Sequence, residues 1–436
     1  MRVFVSSRLG DLVSQSMTTA RREVQLLALA CAFVLLATVA LALAPFARAG
    51  SWAFESWNLN LVIFALAWLA CALTSTLALR RLLPNHDPYI LPITFLLAGW
   101  GLTLIGRLAP GFGLRQTAWL VVATLVMLVV AGLPGDLRWL RRYRYTWLLS
   151  GLALTAATLL FGVNPSGFGE RLWLGCCGLY LQPVEILKLL LVAFLAAYLS
   201  EKGDLIFQGR WPTLSAFLPL LLMWGFSMVV LISQRDLGMS TLFFAVFLVM
   251  LYLASGRVAY VVIGFGLLLL GAVVGYGLFD VVRIRVEAWW NPWADSSGRS
   301  YQIVQSLIAL SAGGLAGRGP GLGSPTLVPV AHSDFIFAAL AEEWGLLGVI
   351  GAVSLLAALV FRGLHIAAHA RGAFRPLLAA GLSALMGIQA LMIMGGVVKL
   401  VPLTGVTLPL MSYGGSSLVA QFVMIGLLLK LSSAED

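Results

Sequence analysis

The chain has 436 residues, of which 60% are hydrophobic and only 11% are charged, and its formal net charge is +10. Soluble globular domains carry roughly 25% charged residues, so this composition excludes an ordinary soluble enzyme and indicates an integral membrane protein. Much of the positive charge follows from membrane topology, and no nucleic-acid partner is expected from it.

Twelve apolar runs are long enough to cross a bilayer, for which a helix needs about 20 residues. The predicted fold is therefore an all-α polytopic bundle of about twelve transmembrane helices. The first run is too long for a signal-peptide core, so we expect a retained helix that follows a cytoplasmic segment at 1–24. The runs lie at about 25–46, 58–79, 89–106, 116–133, 145–162, 183–200, 214–232, 239–255, 258–279, 335–361, 377–398 and 416–432.

An even number of spans places both termini on one side of the membrane. If that side is the cytoplasm, most of the 28 basic residues lie inside, as the positive-inside rule predicts. Taken singly, the basic residues left outside are explained by snorkelling to lipid headgroups. As a group they also fit a cationic site for a phosphate-bearing lipid, because guanidinium groups suit phosphate oxygens. They are Arg48, Arg107, Arg115, Arg171, Arg235, Arg283, Arg285, Arg299, Arg318 and Lys399.

The sixth run contains "LQPVEILK", which places Glu185 and Lys188 three residues apart on one helical face. Ionisable residues inside a membrane are expensive and usually face the bundle interior or a wet cavity. A structural ion pair and a cavity-lining role both remain open for them. In "SQRDLGMS", at an outer boundary, Asp236 is expected to form a local pair with Arg235 or to cap a helix.

The longest connection, 280–334, contains "WWNPWADSSGRSYQ". Its carboxylate, Asp295, precedes Ser-Ser-Gly, so a turn would project it from the loop, and spacing alone favours an Asx-turn acceptor. The functional alternative is a general base at the outer face, sheltered by tryptophans and flanked by arginines, which accepts a proton from a sugar hydroxyl. Neighbouring cations would stabilise a departing pyrophosphate.

Two further segments of this connection predict structure. In "YQIVQSLIAL", Ile303, Val304, Leu307 and Ile308 share one helical face, which indicates a short helix lying in the membrane surface. The run "GRGPGLGS" could cradle phosphate through backbone N–H groups, but it lacks the ending of a P-loop and follows no strand. By itself it is interpreted as a flexible, close-packed loop.

The tenth run begins with "AHSDFIFAALAEEWG". His332 is either a ligand or base, or a hydrogen-bonded cap at the start of the helix. Glu342 and Glu343 lie so deep that at least one is expected to face a polar interior. The segment "LTGVTLPLMSYGGSS", 403–417, predicts non-helical backbone at membrane depth, which is tolerated only where it is buried in protein or lines a cavity.

Taken together and in order, these segments resemble the shape, elongation, division and sporulation (SEDS) family, the FtsW/RodA group. The resemblance covers about 85–436 and implies a ten-helix core there, with two additional N-terminal helices at 25–81. Departures from the family pattern bear on subtype more than on chemistry and include Val184, Arg235, Met239, Ser296 and Val330. The segments are "LQPVEILK", "QRDLG", "NPWADSSGRSYQIVQS", "GGLAGRGPGLGS", "PVAHSDFIFAALAEEWGLLG" and "LTGVTLPLMSYGGSS".

The resemblance implies that the protein polymerises lipid II, an undecaprenyl-pyrophosphate-linked disaccharide peptide, at the outer face of the bacterial cell membrane. Asp295 matches the family's essential aspartate, which reverses the preference for a mere turn residue and makes it the catalytic candidate. A class B penicillin-binding protein is the implied partner for transpeptidation. A divalent cation could share the pyrophosphate, although no ligand cluster in the sequence establishes one. The substrate-binding candidates are Arg107, Gln116, Trp119, Glu185, Lys188, Arg235, Arg283, Arg285, Arg299, Arg318, His332, Ser412 and Ser416.

Two other functions stay open at this point. A transporter that flips a lipid-linked precursor would explain the intramembrane polar residues and the outer arginines equally well, but it gives Asp295 no chemical role. An inactive scaffold that only positions the transpeptidase is the third interpretation. Whether the protein serves elongation, division or sporulation does not follow from the sequence.

Overall fold

The computed structural model describes residues 2–49, 59–134, 137–165, 167, 170–176, 178–207, 209 and 212–433. These residues form a helical bundle with one short β-hairpin. The helices are α1 (Arg2–Ala49), α2 (Leu59–Leu82), α3 (Ile90–Leu108), α4 (Pro110–Gly132), α5 (Arg138–Arg142), α6 (Arg144–Phe161), α7 (Pro183–Phe207), α8 (Leu214–Ser233), α9 (Leu237–Ser255), α10 (Val258–Leu278), α11 (Asp280–Trp290), α12 (Tyr301–Gly313), α13 (Ile336–His369), α14 (Phe374–Val397) and α15 (Gly415–Ser432).

The prediction of an all-helical, polytopic membrane protein is confirmed. Within the described residues, 11 helices are long and apolar enough to cross a membrane. The predicted span 145–162 falls on α6, which is helical but is not among the 11. The predicted boundary at residue 24 falls inside α1, which is continuous. The hairpin, β1 (Leu174–Cys176) with β2 (Leu179–Leu181), was not predicted.

The bundle has a protein-packed centre and a lipid-facing periphery. Helices α3, α7, α14 and α15 are mostly buried, whereas α10 is almost wholly exposed and carries large apolar side chains on its surface. Since lipid tails are as apolar as these side chains, such exposure is stable in a bilayer. The central helices are therefore the ones that can position a polar site.

The predicted non-helical segment 403–417 is confirmed over 403–414, whereas its last three residues form the first turn of α15. The segment 403–414 between α14 and α15 is non-helical, and its residues Val406, Leu408 and Met411 are buried in protein. Buried backbone needs internal hydrogen-bond partners, and the Leu408 N–H donates to Ser412 Oγ at 2.9 Å while the Leu410 N–H donates to Gln421 Oε1. The loop is thus fixed in place by side chains.

The connection 280–334 is folded. It contains α11, a 3-10 turn at Pro292–Asp295, and α12, which packs on α13. The predicted helix over 301–310 is confirmed, but its predicted face is wrong in part. Ile303 and Val304 are buried, whereas Ile308 is 47% exposed and Ala309 is buried instead. Contact with α13, rather than residue hydrophobicity alone, decides which positions are covered.

Candidate active site

The predicted intramembrane pair lies at the centre of the bundle. Glu185 and Lys188 on α7 are each 1% exposed and form an ion pair. The Lys188 ammonium also donates to Gln389 Oε1 on α14 at 3.0 Å, and Gln389 Nε2 donates to the Thr407 carbonyl at 2.8 Å. The pair therefore supports the buried loop 403–414 through a side chain that the sequence did not indicate.

Hydrogen bonds continue from this point into α15. Thr407 Oγ1 and Ser417 Oγ are 2.8 Å apart, and Gln421 Nε2 donates to Ser417 Oγ at 3.1 Å. A chain of hydrogen-bonded polar groups in a low-dielectric interior is rigid. Removal of one member leaves other buried polar groups unpaired, which lowers the stability of the fold. Sequence reasoning missed Gln389, Thr407, Ser417 and Gln421. A glutamine inside an otherwise apolar span was the signal that could have found two of them.

Gln116 and Trp119 on α4, which the resemblance implied as substrate-binding residues, contact the other end of the loop. Gln116 Nε2 donates to the Ser412 carbonyl at 3.4 Å and Gln116 Oε1 accepts from the Gly414 N–H at 3.3 Å. The Trp119 ring lies so close to Gly415 that an added Cβ would sit 2.2 Å from it. Ser416, in the first turn of α15, is buried beside them.

His332 packs between aromatic rings and does not cap a helix. Its ring lies 4.8 Å from Phe112 and 5.6 Å from Tyr413 between centroids, and its carbonyl accepts from the Tyr413 N–H. Helix α13 begins at Ile336 without a side-chain cap, so the predicted capping role is wrong. Burial lowers the pKa of His332 below its ordinary value, which leaves a neutral ring at pH 7.

Arg285 lies between two carboxylates at the loop. It donates to the Thr404 carbonyl at 3.1 Å and interacts electrostatically with Asp236 and Asp334. Asp236 accepts from the Met239 N–H at 3.0 Å, so the prediction that it caps a helix is confirmed. The predicted pyrophosphate ligand Arg285 is thereby already engaged by protein groups.

We expect Asp236→Asn to flatten the pH dependence of thermal stability between about pH 4 and 6. Burial raises the pKa of Asp236 to about 6, against the opposing Met239 N–H bond and Arg285 charge. The folded state therefore binds this proton more tightly than the unfolded chain. The stability contribution is complete below about pH 4 and is lost as the pH rises through about 6.

Asparagine keeps the helix cap and removes the titration, together with the negative charge that faces Arg285. The measurement is the thermal midpoint of the detergent-solubilised chain from pH 4 to 7.5, with Asp280→Asn as the control, because the Asp280 side chain is 90% exposed. Parallel curves for the wild type and Asp236→Asn would contradict the assignment.

Two of the remaining arginines have partners of their own at the surface. Arg235 lies 3.5 Å from Glu170, and Arg283 lies 3.9 Å from Asp280, both as exposed pairs. Exposed pairs of this kind are weak. These two arginines therefore do not belong to one cluster, in contrast to the expectation for the outer arginines as a group. Each weak carboxylate partner can still be exchanged for a phosphate.

Two other predicted arginines lie at the glycine-rich segment: Arg107 contacts the Gly323 carbonyl at 3.4 Å, and Arg318 is part of the segment. The Arg318 and Gly319 N–H groups donate to the carbonyls of Glu342 and Glu343 on α13, at 2.9 and 3.0 Å. A phosphate cradle needs free N–H groups, and these are occupied, so the loop is a packed element rather than an anion nest. Both glutamates are buried. Glu342 Oε1 accepts from the Ser324 N–H at 2.8 Å, so one of them faces a polar group, as expected.

Asp295 ends the 3-10 turn at Pro292–Asp295 and is exposed. Its Oδ2 accepts from the Arg299 N–H, four residues along the chain, at 3.0 Å. The carboxylate is therefore a turn acceptor, but not at the two-residue spacing of the Asx-turn that the sequence favoured. Trp290 and Trp293 are 77% and 60% exposed, so they do not shelter the carboxylate as expected. Trp289 donates to the Lys399 carbonyl at 3.1 Å and ties this segment to the bundle.

No group of three His, Cys, Asp or Glu side chains in the described part of the chain is arranged to hold a metal ion. The polar residues described above form a buried hydrogen-bonded network around 403–417. Asp295, by contrast, is an exposed carboxylate on an outer segment that Trp289 ties to the bundle. Together with the fold, this defines a polytopic helical membrane protein whose polar groups surround one non-helical loop.

Comparison with known proteins identifies the family. The sequence model of the cell cycle proteins FtsW, RodA and SpoVE matches residues 100–436, and the chain belongs to this family. The peptidoglycan glycosyltransferase RodA of Mycobacterium tuberculosis H37Rv is 39% identical over 392 residues, which cover 86% of this chain and 83% of that protein. Stage V sporulation protein E of Bacillus subtilis is 37% identical over 282 residues, 64% of this chain and 76% of that protein.

Solved structures agree with the fold. A chain from a study of polymerization and crosslinking by a peptidoglycan synthase complex superimposes with a TM-score of 0.67 at 27% identity, and covers 80% of this chain and 97% of that chain. The rod shape determining protein RodA of Thermus thermophilus gives 0.59 at 25% identity, with 80% and 96% covered.

Proposed function

We propose that the protein polymerises lipid II into β-1,4-linked glycan strands, with Asp295 as the general base. The chain is a peptidoglycan glycosyltransferase with many membrane spans, in keeping with its family and its named relatives. The observation that carries the residue assignment is an exposed carboxylate, held by one backbone bond, on a segment tethered to the bundle.

The reaction needs one proton acceptor and a stabilised leaving group. Asp295 would accept the proton of the acceptor's GlcNAc 4-hydroxyl as that oxygen attacks the anomeric carbon of the donor's MurNAc. The bond to undecaprenyl pyrophosphate breaks with inversion, and the leaving group departs as an anion. Neighbouring cations or dipoles stabilise the charge that develops on it.

The geometry of Asp295 suits this role. A carboxylate has about four acceptor sites, so the bond from the Arg299 N–H to Oδ2 orients the group and leaves it able to accept again. Tryptophans concentrate where a membrane meets water. The exposed Trp290 and Trp293 therefore support a position at the depth where a membrane-anchored lipid presents its first sugar.

Arg299 and Arg318 are the arginines best placed to hold the pyrophosphate. Arg299 lies on the same turn as Asp295, and Arg318 is exposed, with its nearest carboxylate oxygen 4.0 Å away on Glu342. Arg235 and Arg283 remain candidates through exchange of weak partners. The buried candidates Glu185, Lys188, Gln116 and Ser412 would support the site indirectly by fixing the loop 403–414.

Orientation and partner are part of the proposal. Cytoplasmic termini are supported by the basic residues of the connections between α4 and α6 and between α13 and α14, and the active site then faces outward. A class B penicillin-binding protein is the proposed transpeptidase partner. Support comes from the similarity to a chain of a peptidoglycan synthase complex.

Purified chain in proteoliposomes tests the proposal against both alternatives. We expect glycan chains to form from lipid II without a partner, since the proposed base and its neighbours belong to this chain. A transporter would move lipid II across the bilayer without making chains, and a scaffold would do neither. Absence of chains both with and without a candidate transpeptidase would sink the proposal.

A further inference from the structure

The glycine-rich loop 314–324 is held from one side by α13. Besides the two backbone bonds from Arg318 and Gly319, the Ser324 N–H donates to Glu342 Oε1 at 2.8 Å. The same carboxylate lies 4.0 Å from the Arg318 guanidinium. The loop that carries Arg318 is therefore anchored at both of its halves on one helix.

The other side is held by the N-terminal helix α1. Arg48 Nη2 donates to the Gly323 carbonyl at 2.5 Å. At Gly321, an added Cβ would lie 2.6 Å from Ala44 Cβ and 3.2 Å from Leu41 Cδ2. The backbone of the loop thus touches α1 directly, at a point where no larger residue fits.

Arg107 joins the two sides. Its Nη2 lies 3.4 Å from the Gly323 carbonyl and 3.5 Å from the Gly321 carbonyl, and its Nε lies 3.7 Å from Glu343 Oε1. The carbonyl groups of the loop therefore accept from two guanidinium groups, that of Arg107 on α3 and that of Arg48 on α1. Hydrogen bonds that involve a charged donor are the stronger kind.

Helix α1 is itself fixed against the bundle. The Phe33 ring lies 5.0 Å from Trp100 on α3 and 5.2 Å from Trp344 on α13, between centroids. Near the loop, however, α1, α2 and α3 border a half-open pocket of about 290 Å³ whose lining includes Arg48 and Arg107. The contact of α1 with the loop therefore consists of the Arg48 hydrogen bond and the packing of Gly321 against Ala44 and Leu41, and no side chain fills the space beside Arg48.

We propose that the N-terminal helix pair is part of the substrate site, because Arg48 positions the loop 314–324 and through it the Arg318 guanidinium. The match to the family model begins at residue 100, so α1 and α2 lie outside the matched region. The inference rests on the proposed function, in which Arg318 is a candidate holder of the pyrophosphate. Arg48 is a positioning residue and does not itself contact substrate.

Hydrogen exchange of the purified chain tests, without any reaction, whether Arg48 holds the loop 314–324 in place. We expect Arg48→Ala to speed exchange of the backbone amides in 314–324, because local opening follows loss of a tethering contact. Arg22→Ala, an exposed arginine on the same helix but far from the loop, is the control and should change nothing there. Arg48→Lys keeps a charged donor and should show an intermediate rate.

Kinetics with lipid II test the positioning. We expect Arg48→Ala to lower kcat by about tenfold, the size expected for one hydrogen bond to a charged group, with little change in KM. The effect should largely vanish when Arg318 is already alanine, because residues that act through one another are not additive. General destabilisation would instead add to the loss caused by Arg318→Ala.

Substitutions at two glycines of the loop provide a second, independent test of the contact with α1. Gly321 and Gly319 both have positive φ, +75° and +98°, but an added Cβ at Gly319 meets only Leu322 of its own loop, at 3.1 Å. Gly321→Ala should therefore impair polymerisation more than Gly319→Ala, and Ala44→Gly should restore part of that loss. Equal effects of the two glycine variants would count against contact with α1.

The outcomes separate this inference from the proposed function. Faster exchange together with a kcat loss that depends on Arg318 supports the inference. Unchanged exchange in Arg48→Ala overturns it, and so does faster exchange with wild-type kcat. If wild-type chain makes no glycan, the proposed function fails, and with it the assignment of Arg48 as a positioning residue. The exchange result then still decides whether α1 holds the loop.

Discussion

Replacing Asp295 with asparagine is expected to lower lipid II polymerisation by roughly 10²- to 10⁴-fold, the usual contribution of a positioned general base. Asparagine has nearly the same size, and its oxygen can still accept from the Arg299 N–H, which in the wild type donates to Oδ2 at 3.0 Å. The turn should therefore persist while the proton acceptor is lost. The measurement is the glycan yield from lipid II with purified protein, next to the thermal midpoint.

The matched control is Glu287→Gln, an exposed carboxylate on α11 in the same outer segment. It should polymerise at close to the wild-type rate. A turn residue without chemistry would give the opposite result for Asp295, since Asn fills turn positions as well as Asp does. Wild-type glycan yield from Asp295→Asn would therefore remove the general base from the mechanism, whatever the variant does to lipid translocation.

The second large effect concerns stability. Lys188→Met should destabilise the fold by about 3–5 kcal/mol, because it leaves the Glu185 carboxylate buried without its counter-ion. Both side chains are 1% exposed, and Lys188 also donates to Gln389. The change thus disturbs the polar chain that supports the loop 403–414. The measurement is the free energy of unfolding or the thermal midpoint of the solubilised chain.

A double-mutant cycle separates the pair from its surroundings. Glu185→Gln combined with Lys188→Met removes both charges, and replacement of a buried pair as a whole is often much less harmful than breaking it. We expect the double variant to be more stable than Lys188→Met alone. Additive losses would show that the two groups do not act as a pair, and that Gln389 carries the contribution of Lys188.

The two predictions address different parts of one arrangement. Several buried side chains around the loop 403–414 are held by hydrogen bonds within the protein, as in the bonds from Gln116 to Ser412 and from Gln389 to Thr407. They give rigidity to the bundle. In the proposed mechanism the proton transfer takes place on the exposed outer segment, where Asp295 is accessible to the sugar hydroxyl of a membrane-anchored lipid. Catalytic groups are precise when rigid elements support them.

Amino-acid order alone determined the class of this protein and its local structure. Apolar runs of about 20 residues admit hardly any structure but spanning helices, because a bilayer offers no hydrogen bonds to exposed backbone. Local spacing likewise offered the cap at Asp236 and the pair of Glu185 with Lys188 as interpretations, and it predicted the non-helical backbone that the structure shows over 403–414. Each of these follows from neighbours within a few residues in the chain.

Tertiary structure alone decided which distant groups meet. Hydrophobicity does not separate a lipid-facing helix from a central one in a membrane, since lipid and protein interiors are equally apolar. Helix α10 is more apolar than α3 and yet far more exposed. For that reason the bond from Lys188 to Gln389, 201 residues apart, and the bond from Arg48 to Gly323, 275 residues apart, could not be predicted. They depend on how helices pack, which no periodicity within one helix records.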